Sequence, residues 1–282
     1  MNEYRAKLSS SERIVVKIGT SSLAFPNGKT NYTRLDKLAM VLSDLMSCGK
    51  EVILVSSGAI GVGAGRLKMD APPDGLIARQ ALAAIGQAEL MRIYQKFFDE
   101  YNQMVAQVLL TPEGLDDETR FTNARNTLNQ LISMKILPIV NENDTVSTLE
   151  IQFGDNDRLS AKVAAMIDAN LLIILTDIDG LYSSDPKQDP DASILSEVHE
   201  ISEEIENSAS GIGSSFAKGG MASKISAVKI CKERGIDTII INGKDPRNIL
   251  RAIEGIPIGT LFTGSKIASD IFNESGNSDP TG

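Results

Sequence analysis

The chain has 282 residues, of which 42% are hydrophobic and 23% are charged, and these proportions are typical of a globular protein with a substantial buried core. Its 37 Asp and Glu residues outnumber the 28 Lys and Arg residues and give a formal net charge of -9, which makes nucleic acid and anionic membrane surfaces poor partners. Two widely separated cysteines, Cys48 and Cys231, exclude a disulfide scaffold, and the single histidine, His199, excludes His-cluster metal sites and argues against a Ser-His-Asp hydrolase.

Six short apolar runs predict strands. They lie at Ile14–Ile18, Val52–Val55, Met104–Leu110, Ile136–Val140, Leu171–Leu175 and Thr238–Ile241. Their apolar residues are continuous rather than alternating, which is typical of a parallel sheet covered on both faces. An apolar stripe with helical period runs from Leu35 to Met46, and a longer alanine-rich helix is predicted from Ile77 to Phe98. The alternation predicts an α/β fold with an open, mainly parallel central sheet sandwiched by helices.

A single domain is predicted over residues 1–264. Within it, residues 145–153 partly alternate and are interpreted as a hairpin or mobile flap, and residues 183–193 as a polar loop. Residues 265–282 are rich in Ser, Asn, Gly and Asp and predict a flexible tail. The N-terminal sequence lacks the apolar core of a signal peptide, and no apolar run has membrane-spanning length, so a cytoplasmic protein is expected.

Small and polar residues follow five of the predicted strands. These segments are residues 17–21, 56–59, 141–144, 176–180 and 242–243. Each of them alone is typical of a turn. In open parallel sheets, however, ligands bind beyond the carboxyl ends of the strands, and together the segments predict a polar edge that accepts anions.

Lys17 lies at the end of the apolar run IVVKIG, and lysine is rarely buried without a partner. One interpretation is a strand-end lysine whose ammonium reaches solvent. The other is a point charge held against a phosphate, with Gly19 allowing the backbone to approach it.

The segment SSGAIGVGAGR, residues 56–66, predicts a glycine-rich turn between a strand and a helix. Its glycines do not form the G-x-G-x-x-G dinucleotide fingerprint, and Gly28-Lys29-Thr30 is not a P-loop because Leu23 stands where a glycine is required. The turn fits a backbone cradle for a carboxylate or a phosphate.

Carboxylates and amides are concentrated in NENDT, residues 141–145, and GDNDR, residues 154–158. Asp155, Asn156 or Asp157 is expected to cap a helix that begins near Leu159, which explains part of this pattern. Capping explains the first cluster less well. Its acceptors suit a cationic group such as an α-ammonium, while its amides suit the accompanying carboxylate.

The segment AKGGMASK, residues 217–224, precedes an apolar helix, and a double glycine at a helix N-terminus is a natural anion site. Lys224 would lie in the first turn, where the helix dipole disfavours a cation. A negative group nearby would remove this conflict, and phosphate is the simplest candidate. The alternative is an exposed lysine that is merely tolerated.

Six segments, in chain order, resemble the motifs of the amino acid kinase family. They are IVVKIGTSSL, SSGAIGVGAGR, NENDTV, FGDND, TDIDGLY and KGGMASK, and the resemblance runs from about Ile14 to Phe262. It implies the fold of that family, with an amino-acid-substrate lobe over roughly residues 1–165 and a nucleotide lobe over residues 166–264. NENDTV followed closely by FGDND resembles the members that phosphorylate L-glutamate, rather than those acting on aspartate, acetylglutamate, carbamate or uridylate.

The resemblance also implies roles for individual residues. Lys17 would hold the transferred phosphoryl group together with Lys224, and Asp177 would orient both lysines through ion pairs. The glutamate site would comprise Ser57, Gly58, Asp144 and Asn156. The nucleotide site would comprise Lys17, Gly19, Thr176, Asp177, Lys218, Gly219, Gly220, Met221, Ala222, Ser223 and Lys224.

The implied reaction is transfer of the ATP γ-phosphoryl group to the γ-carboxylate of L-glutamate, the first step of proline biosynthesis. ATP and Mg²⁺ are then required, no protein ligand of Mg²⁺ is assigned, proline is expected as a feedback inhibitor, and a homo-oligomer (dimer or tetramer) is expected. Lys218 is larger than the residue usual before the double glycine, and no C-terminal PUA domain is expected. Alternatives are a kinase for aspartate or N-acetylglutamate, a nicotinamide-dependent oxidoreductase, and a non-catalytic sensor of an amino acid or nucleotide.

Overall fold

The fold was analysed in a computed structural model, which describes residues 3–25, 29–147, 156–184, 186, 189, 191–210 and 220–264. The strands are β1 Arg13–Ile18, β2 Glu51–Ser56, β3 Val105–Leu110, β4 Leu137–Glu142, β5 Leu171–Thr176, β6 Glu197–Val198, β7 Asp237–Asn242 and β8 Thr260–Phe262. The α-helices are α1 Glu3–Lys7, α2 Thr20–Leu23, α3 Tyr32–Ser47, α4 Ala59–Arg66, α5 Leu76–Asp99, α6 Glu118–Ser133, α7 Asp157–Met166, α8 Glu203–Ser210, α9 Gly220–Glu233 and α10 Asn248–Ile253. Short 3₁₀ helices lie at Leu8–Ser10 and Glu113–Asp116.

The strands form one eight-stranded sheet in the order β3-β4-β2-β1-β5-β7-β8-β6. All neighbouring strands are parallel except β7 and β8. The six predicted strands are confirmed, with bounds that differ by one or two residues. Strands β6 and β8 were not predicted, because runs of two and three residues carry no readable period.

Alternate residues of the central strands bury against opposite helical layers. On one face, Val16 belongs to a core that includes Leu38 of α3 and Leu90 of α5. On the other face, Val15 belongs to a core that includes Val163 of α7 and Val228 of α9. Both faces of the sheet are therefore covered, and the predicted α/β sandwich with a mainly parallel sheet is confirmed.

Helices α4 and α5 approach each other through glycine. A Cβ atom at Gly86 would lie 1.7 Å from the carbonyl oxygen of Ala59, and one at Gly63 would lie 2.1 Å from that of Leu82. No side chain fits at either position, so the two helix backbones are in direct contact. This contact fixes α5 beside the segment that follows β2.

Arg5 of α1 joins the beginning of the described chain to its end. Its guanidinium donates hydrogen bonds to the carbonyl oxygens of Ile256, Ile258, Gly259 and Ser196, at 2.7 to 3.2 Å. The Arg5 side chain is almost fully buried, and its Nε lies 3.6 Å from a carboxylate oxygen of Glu197. Four carbonyl groups at the β6–β8 edge are thereby bonded to the first helix.

Two sequence predictions fall partly or wholly beyond what the structure describes. Residues 148–153 of the predicted flap and the predicted tail, 265–282, lie outside the described residues, and the division of residues 1–264 into two lobes stays a prediction. An antiparallel bridge between Tyr182 and Ile194 closes the predicted polar loop. Among the helices described, none combines the length and the apolar character needed to cross a bilayer.

Candidate active site

The carboxyl ends of four adjacent strands, β4, β2, β1 and β5, bring the predicted site residues to one edge of the sheet. Lys17 is the last but one residue of β1 and is aligned with Val55 of β2 and Ile174 of β5. Ser57 follows β2, and Asp144 follows β4 by two residues. The N-termini of α4, α7 and α9 begin at this same edge, so the helix dipoles add to its preference for anions.

Asp157, the first residue of α7, bridges the two predicted catalytic lysines. One carboxylate oxygen lies 2.7 Å from Lys17 Nζ and the other lies 3.1 Å from Lys224 Nζ. Ser223 Oγ donates a further hydrogen bond to Asp157 at 2.6 Å. The Asp157 side chain is fully buried, and those of the two lysines are 1% and 7% exposed. Two ammonium groups that are far apart in the sequence are thus held on a single carboxylate.

The electrostatics of this bridge favour an ionised Asp157. Burial alone would raise the pKa of its carboxyl group, but the charges of Lys17 and then Lys224, with hydrogen bonds from Lys17 and Ser223, hold that pKa well below its usual range. Asp157 therefore remains negatively charged at neutral pH. A buried ion pair of this kind is costly to disrupt, because loss of one partner leaves a charge in a medium of low dielectric constant.

The role implied for Asp177 is corrected by this geometry. Within the described residues the carboxylate that pairs with both lysines is that of Asp157, whereas Asp177 accepts a hydrogen bond from Thr176 Oγ1 at 3.2 Å. Lys224 does lie in the first turn of its helix, as predicted, and the negative group beside it is again Asp157. The carbonyl oxygen of Gly220 accepts a second hydrogen bond from Lys224, at 3.1 Å.

Asn156 is the position before α7, but its side chain makes no capping hydrogen bond, so the expected cap is wrong for this residue. Its Nδ2 instead donates to the carbonyl oxygen of Ser56 and to Asn141 Oδ1, both at 2.7 Å. These bonds join the N-terminus of α7 to the ends of β2 and β4. Of the other two proposed caps, Asp157 is the first residue of the helix itself, and Asp155 lies outside the described residues.

Three of the four residues assigned to the amino-acid site each present a buried polar atom without a hydrogen-bond partner. These atoms are Ser57 Oγ, Asp144 Oδ1 and Asn156 Oδ1. Buried polar atoms in native proteins are nearly always paired, and an orphaned one needs an explanation such as a ligand. A cluster of one hydroxyl and two acceptors would be completed by a ligand that carries both a cationic donor and an anionic acceptor.

The surroundings of Asp144 disfavour the charged form of its carboxyl group. Burial and the neighbouring Glu142 raise the pKa of its carboxyl group to about 7, while Arg79 opposes the shift. Glu142 also accepts a hydrogen bond from Ser147 Oγ. A cationic group placed beside Asp144 would restore its charged form.

The glycines of the site leave space at the backbone. Gly58, immediately before α4, has a φ of 93°, which L side chains rarely adopt, and α4 has no side-chain cap there. A Cβ atom at Gly19 would lie 3.3 Å from Lys17 Nζ. At Gly19, therefore, a side chain would crowd the Lys17 ammonium, and at Gly58 it would strain the backbone. The anion cradle expected of the glycine-rich turn stays a prediction.

A cavity of about 770 Å³ is lined by residues that end or follow β1, β5 and β7, among them Thr20, Thr176 and Lys244. Thr176 and Asp177, the predicted nucleotide pair, line it, and so do several cationic side chains, Lys29, Arg34, Lys68 and Lys244. Its volume is within the usual range for small-molecule sites. The cavity thus has room for a small-molecule ligand, and its lining includes cationic side chains.

The remaining predicted nucleotide residues are only partly described. Gly220, Met221, Ala222, Ser223 and Lys224 form the first turns of α9, whereas Lys218 and Gly219 lie outside the described residues. In the part of the chain that the structure describes, no three His, Cys, Asp or Glu side chains are grouped to hold a metal ion.

Comparisons with known proteins identify the family of the sequence and of the fold. The sequence model of the amino acid kinase family matches residues 12–242. The chain is 50% identical over 266 residues to the glutamate 5-kinase of Clostridium perfringens (strain 13 / Type A), covering 93% of this chain and 99% of the relative. It is 51% identical to the glutamate 5-kinase of Listeria monocytogenes serotype 4a (strain HCC23), covering 93% and 96%.

A solved structure supports the fold. The carbamate kinase of Giardia lamblia bound to AMP-PNP superposes with a TM-score of 0.64 at 17% identity, covering 91% of this chain and 100% of that one. At so low an identity the likeness concerns the fold alone. With the family match spanning most of the sequence, the conclusion is plain: the chain belongs to the amino acid kinase family.

Proposed function

We propose that this protein is an ATP-dependent glutamate 5-kinase, which transfers the γ-phosphoryl group of ATP to the γ-carboxylate of L-glutamate. The products are L-glutamyl 5-phosphate and ADP, and the reaction is the first step of proline biosynthesis. The observation that carries the proposal is the lysine pair bridged by Asp157 beside the three orphaned polar atoms of Ser57, Asp144 and Asn156. Relatives of the same name, about half identical in sequence, support it.

The chemistry of the acceptor explains why this site needs no general base. The side chain of free glutamate titrates near pH 4.3, so the attacking carboxylate is already deprotonated at neutral pH. What remains is to position two anions and to stabilise the charge on the phosphoryl group during transfer. In this proposal Lys17 and Lys224 supply that charge, with backbone amides near Gly19, Gly58 and Gly220.

The orphaned atoms match the two ends of an amino acid. At neutral pH the only hydrogen-bond donor of L-glutamate is its α-ammonium group, so Asp144 Oδ1 and Asn156 Oδ1, which accept, would face that group. Ser57 Oγ can donate to a carboxylate. N-acetylglutamate lacks the ammonium and aspartate is shorter, so this pairing favours free L-glutamate.

The nucleotide is assigned to the side of the lysine pair that carries Thr176, Asp177 and the first turn of α9, Gly220 to Lys224. Magnesium is expected to enter with the nucleotide, held by phosphate oxygens and water, and to neutralise charge on the β and γ phosphates. No residue of the chain is assigned to it.

Regulation and assembly are also part of the proposal. Proline would act as a feedback inhibitor near the glutamate pocket, since its own ammonium and carboxylate could use Asp144 and Ser57. A homo-oligomer, dimer or tetramer, and a cytoplasmic location are proposed from the resemblance to the family.

A hydroxamate-trapping assay tests the reaction. The protein is incubated with ATP, magnesium and hydroxylamine, and L-glutamate is compared with aspartate and N-acetylglutamate. Acyl phosphate formed with L-glutamate alone is the expected result. Product with another acid instead would overturn the assignment of Asp144 and Asn156, and no product from any acid, in protein that ATP still stabilises against heat, would overturn the proposed function.

A further inference from the structure

A chain of side-chain amides connects helix α5 to the amino-acid site. Gln87 Oε1, on α5, accepts a hydrogen bond from Asn141 Nδ2 at 2.8 Å. Asn141 Oδ1 accepts from Asn156 Nδ2 at 2.7 Å and from the backbone N–H of Glu142 at 2.9 Å. Asn156 Nδ2 donates its other hydrogen to the carbonyl oxygen of Ser56. Gln87 is thus two hydrogen bonds away from the orphaned Asn156 Oδ1.

Each hydrogen bond in this series of amides favours one of the two orientations of the next amide. A primary amide has one end that donates and one that accepts. Asn141 donates to Gln87, and its oxygen, which faces Asn156, also accepts from the backbone N–H of Glu142, so both partners favour the same orientation of the Asn141 amide. Asn156 must then turn its nitrogen toward Asn141 and Ser56, which leaves Oδ1 as the end that faces the site. With Asn141 and Asn156 each 1% exposed, water has little access to replace a missing partner.

The packing of α5 holds Gln87 in place. Gly86 precedes it and contacts the backbone of α4 directly, since no Cβ atom fits there. Gln87 is half-buried on the same turn. Its position relative to β4 is therefore fixed by backbone contact rather than by a flexible side chain.

We propose that Gln87 is a positioning residue that acts with the backbone N–H of Glu142 and the carbonyl oxygen of Ser56 to hold the amide orientation of Asn156, and so makes the site select an acid that carries an α-ammonium group. With the observed orientation Asn156 presents an acceptor beside Asp144, and an ammonium can donate to both. With the amide reversed, Asn156 would present a donor to that cation. This inference rests on the proposed function, in which L-glutamate is the acceptor substrate.

The inference separates two substrates that differ only at the group concerned. Glutarate has both carboxylates of L-glutamate and lacks the α-ammonium. Replacement of Gln87 by Met keeps the length of the side chain and removes the acceptor for Asn141. We expect Gln87→Met to raise the KM for L-glutamate about tenfold, since one hydrogen bond to a charged group is weakened. The KM or inhibition constant for glutarate, the KM for ATP and kcat should each change less than about twofold.

Three further variants make the test specific. Gln87→Glu retains an acceptor oxygen and is expected to keep the KM for L-glutamate within about threefold of wild type. Gln87→Lys offers only donors to Asn141 Nδ2, so it should weaken the hold on the Asn141 amide and, like Gln87→Met, raise the KM for L-glutamate without changing the constant for glutarate. This variant keeps the test available if Gln87→Met does not fold. Gln95→Met makes a matched change at an exposed position of α5 and should behave as wild type.

The measurements are steady-state kinetics with L-glutamate and with glutarate, where glutarate is used as a competitive inhibitor if its turnover is too slow to follow. A raised KM for L-glutamate together with an unchanged constant for glutarate supports the positioning role. Parallel rises for both acids, or an unchanged ratio, would overturn it and indicate a structural role for Gln87. Wild-type protein that makes no acyl phosphate from L-glutamate would instead overturn the proposed function, so the two failures are distinguishable.

Discussion

The variant Asp157→Asn keeps the shape of the bridging side chain and removes its negative charge. In the wild-type structure that charge lies 2.7 Å from Lys17 Nζ and 3.1 Å from Lys224 Nζ, with all three side chains buried. The amide cannot neutralise two ammonium groups, although its oxygen can still accept one hydrogen bond. The variant therefore isolates the electrostatic part of the bridge from its packing.

The size of the effect follows from the burial of these groups. Removing one partner of a buried ion pair costs about 3–5 kcal/mol. At about 2–4 °C per kcal/mol for a domain of this size, the melting temperature should fall by roughly 10 °C. ATP brings negative phosphates to the same lysines, so it should raise the melting temperature of the variant by more than it raises that of the wild type.

Thermal unfolding with and without ATP measures both effects. Asp116→Asn is the matched control, because Asp116 pairs with Lys162 at 2.9 Å but its side chain is 74% exposed, and such a pair contributes at most about 1 kcal/mol. If Asp157→Asn melts within a degree or two of Asp116→Asn, the reasoning that Asp157 holds the two lysines is refuted.

Three further outcomes are expected from the site. Lys17→Ala and Lys224→Ala should each lower kcat by roughly 10²–10³, the usual loss for one electrostatic donor, and initial rates at saturating substrate close to those of wild type would contradict the role of either lysine. The KM for L-glutamate should rise as the pH falls below about 7. Burial and Glu142 raise the pKa of Asp144 to about 7, and only the ionised form of Asp144 pairs with an ammonium. A KM that is flat from about pH 6 to 8 would contradict this. Gly86→Ala should lower the melting temperature and raise that KM, since the new methyl group overlaps the backbone of α4 and overpacking costs about 1–3 kcal/mol. Gly75→Ala, with nothing within 4 Å of the added atom, is its control.

The fold could be predicted where long-range structure leaves a local signature. A strand covered on both faces is apolar at nearly every position, so β1 and β5 are visible in the sequence as IVVKI, interrupted only by Lys17, and LLIIL. Strand β8 has only three residues and pairs with β7 in the antiparallel sense. The three residues of β8 carry no local pattern that predicts a strand or its direction, because both depend on pairing with β7.

The candidate site was predicted in its residues more fully than in its contacts. Lys17 and Asp144 were singled out because carboxyl ends of parallel strands meet at one edge, whereas Asn156 was assigned to the site through the resemblance to the family. Asp157 was interpreted only as a possible helix cap, since GDNDR has that appearance locally. Its bond to Lys224 spans 67 residues, and no spacing rule reports a pair at that separation.

One signal could have identified Asp157. A lysine in the first turn of a helix requires a nearby negative group, and this requirement was recognised for Lys224 but assigned to phosphate alone. Gln87 left no such signal. Its partner Asn141 lies 54 residues away on β4, and a single glutamine on an alanine-rich helix is ordinary.

The hydrogen bonds from Arg5 to four carbonyl groups can form only after a long interval of synthesis. Arg5 leaves the ribosome well before its acceptors, and Ile258, one of them, follows 253 residues later. Translation adds about 5–20 residues per second, so the guanidinium spends many seconds in water before its partners exist. The central strands can pair in that interval, but the first helix cannot dock. Emergence of residues 256–259, rather than emergence of the central strands, is therefore the event that lets the first helix dock.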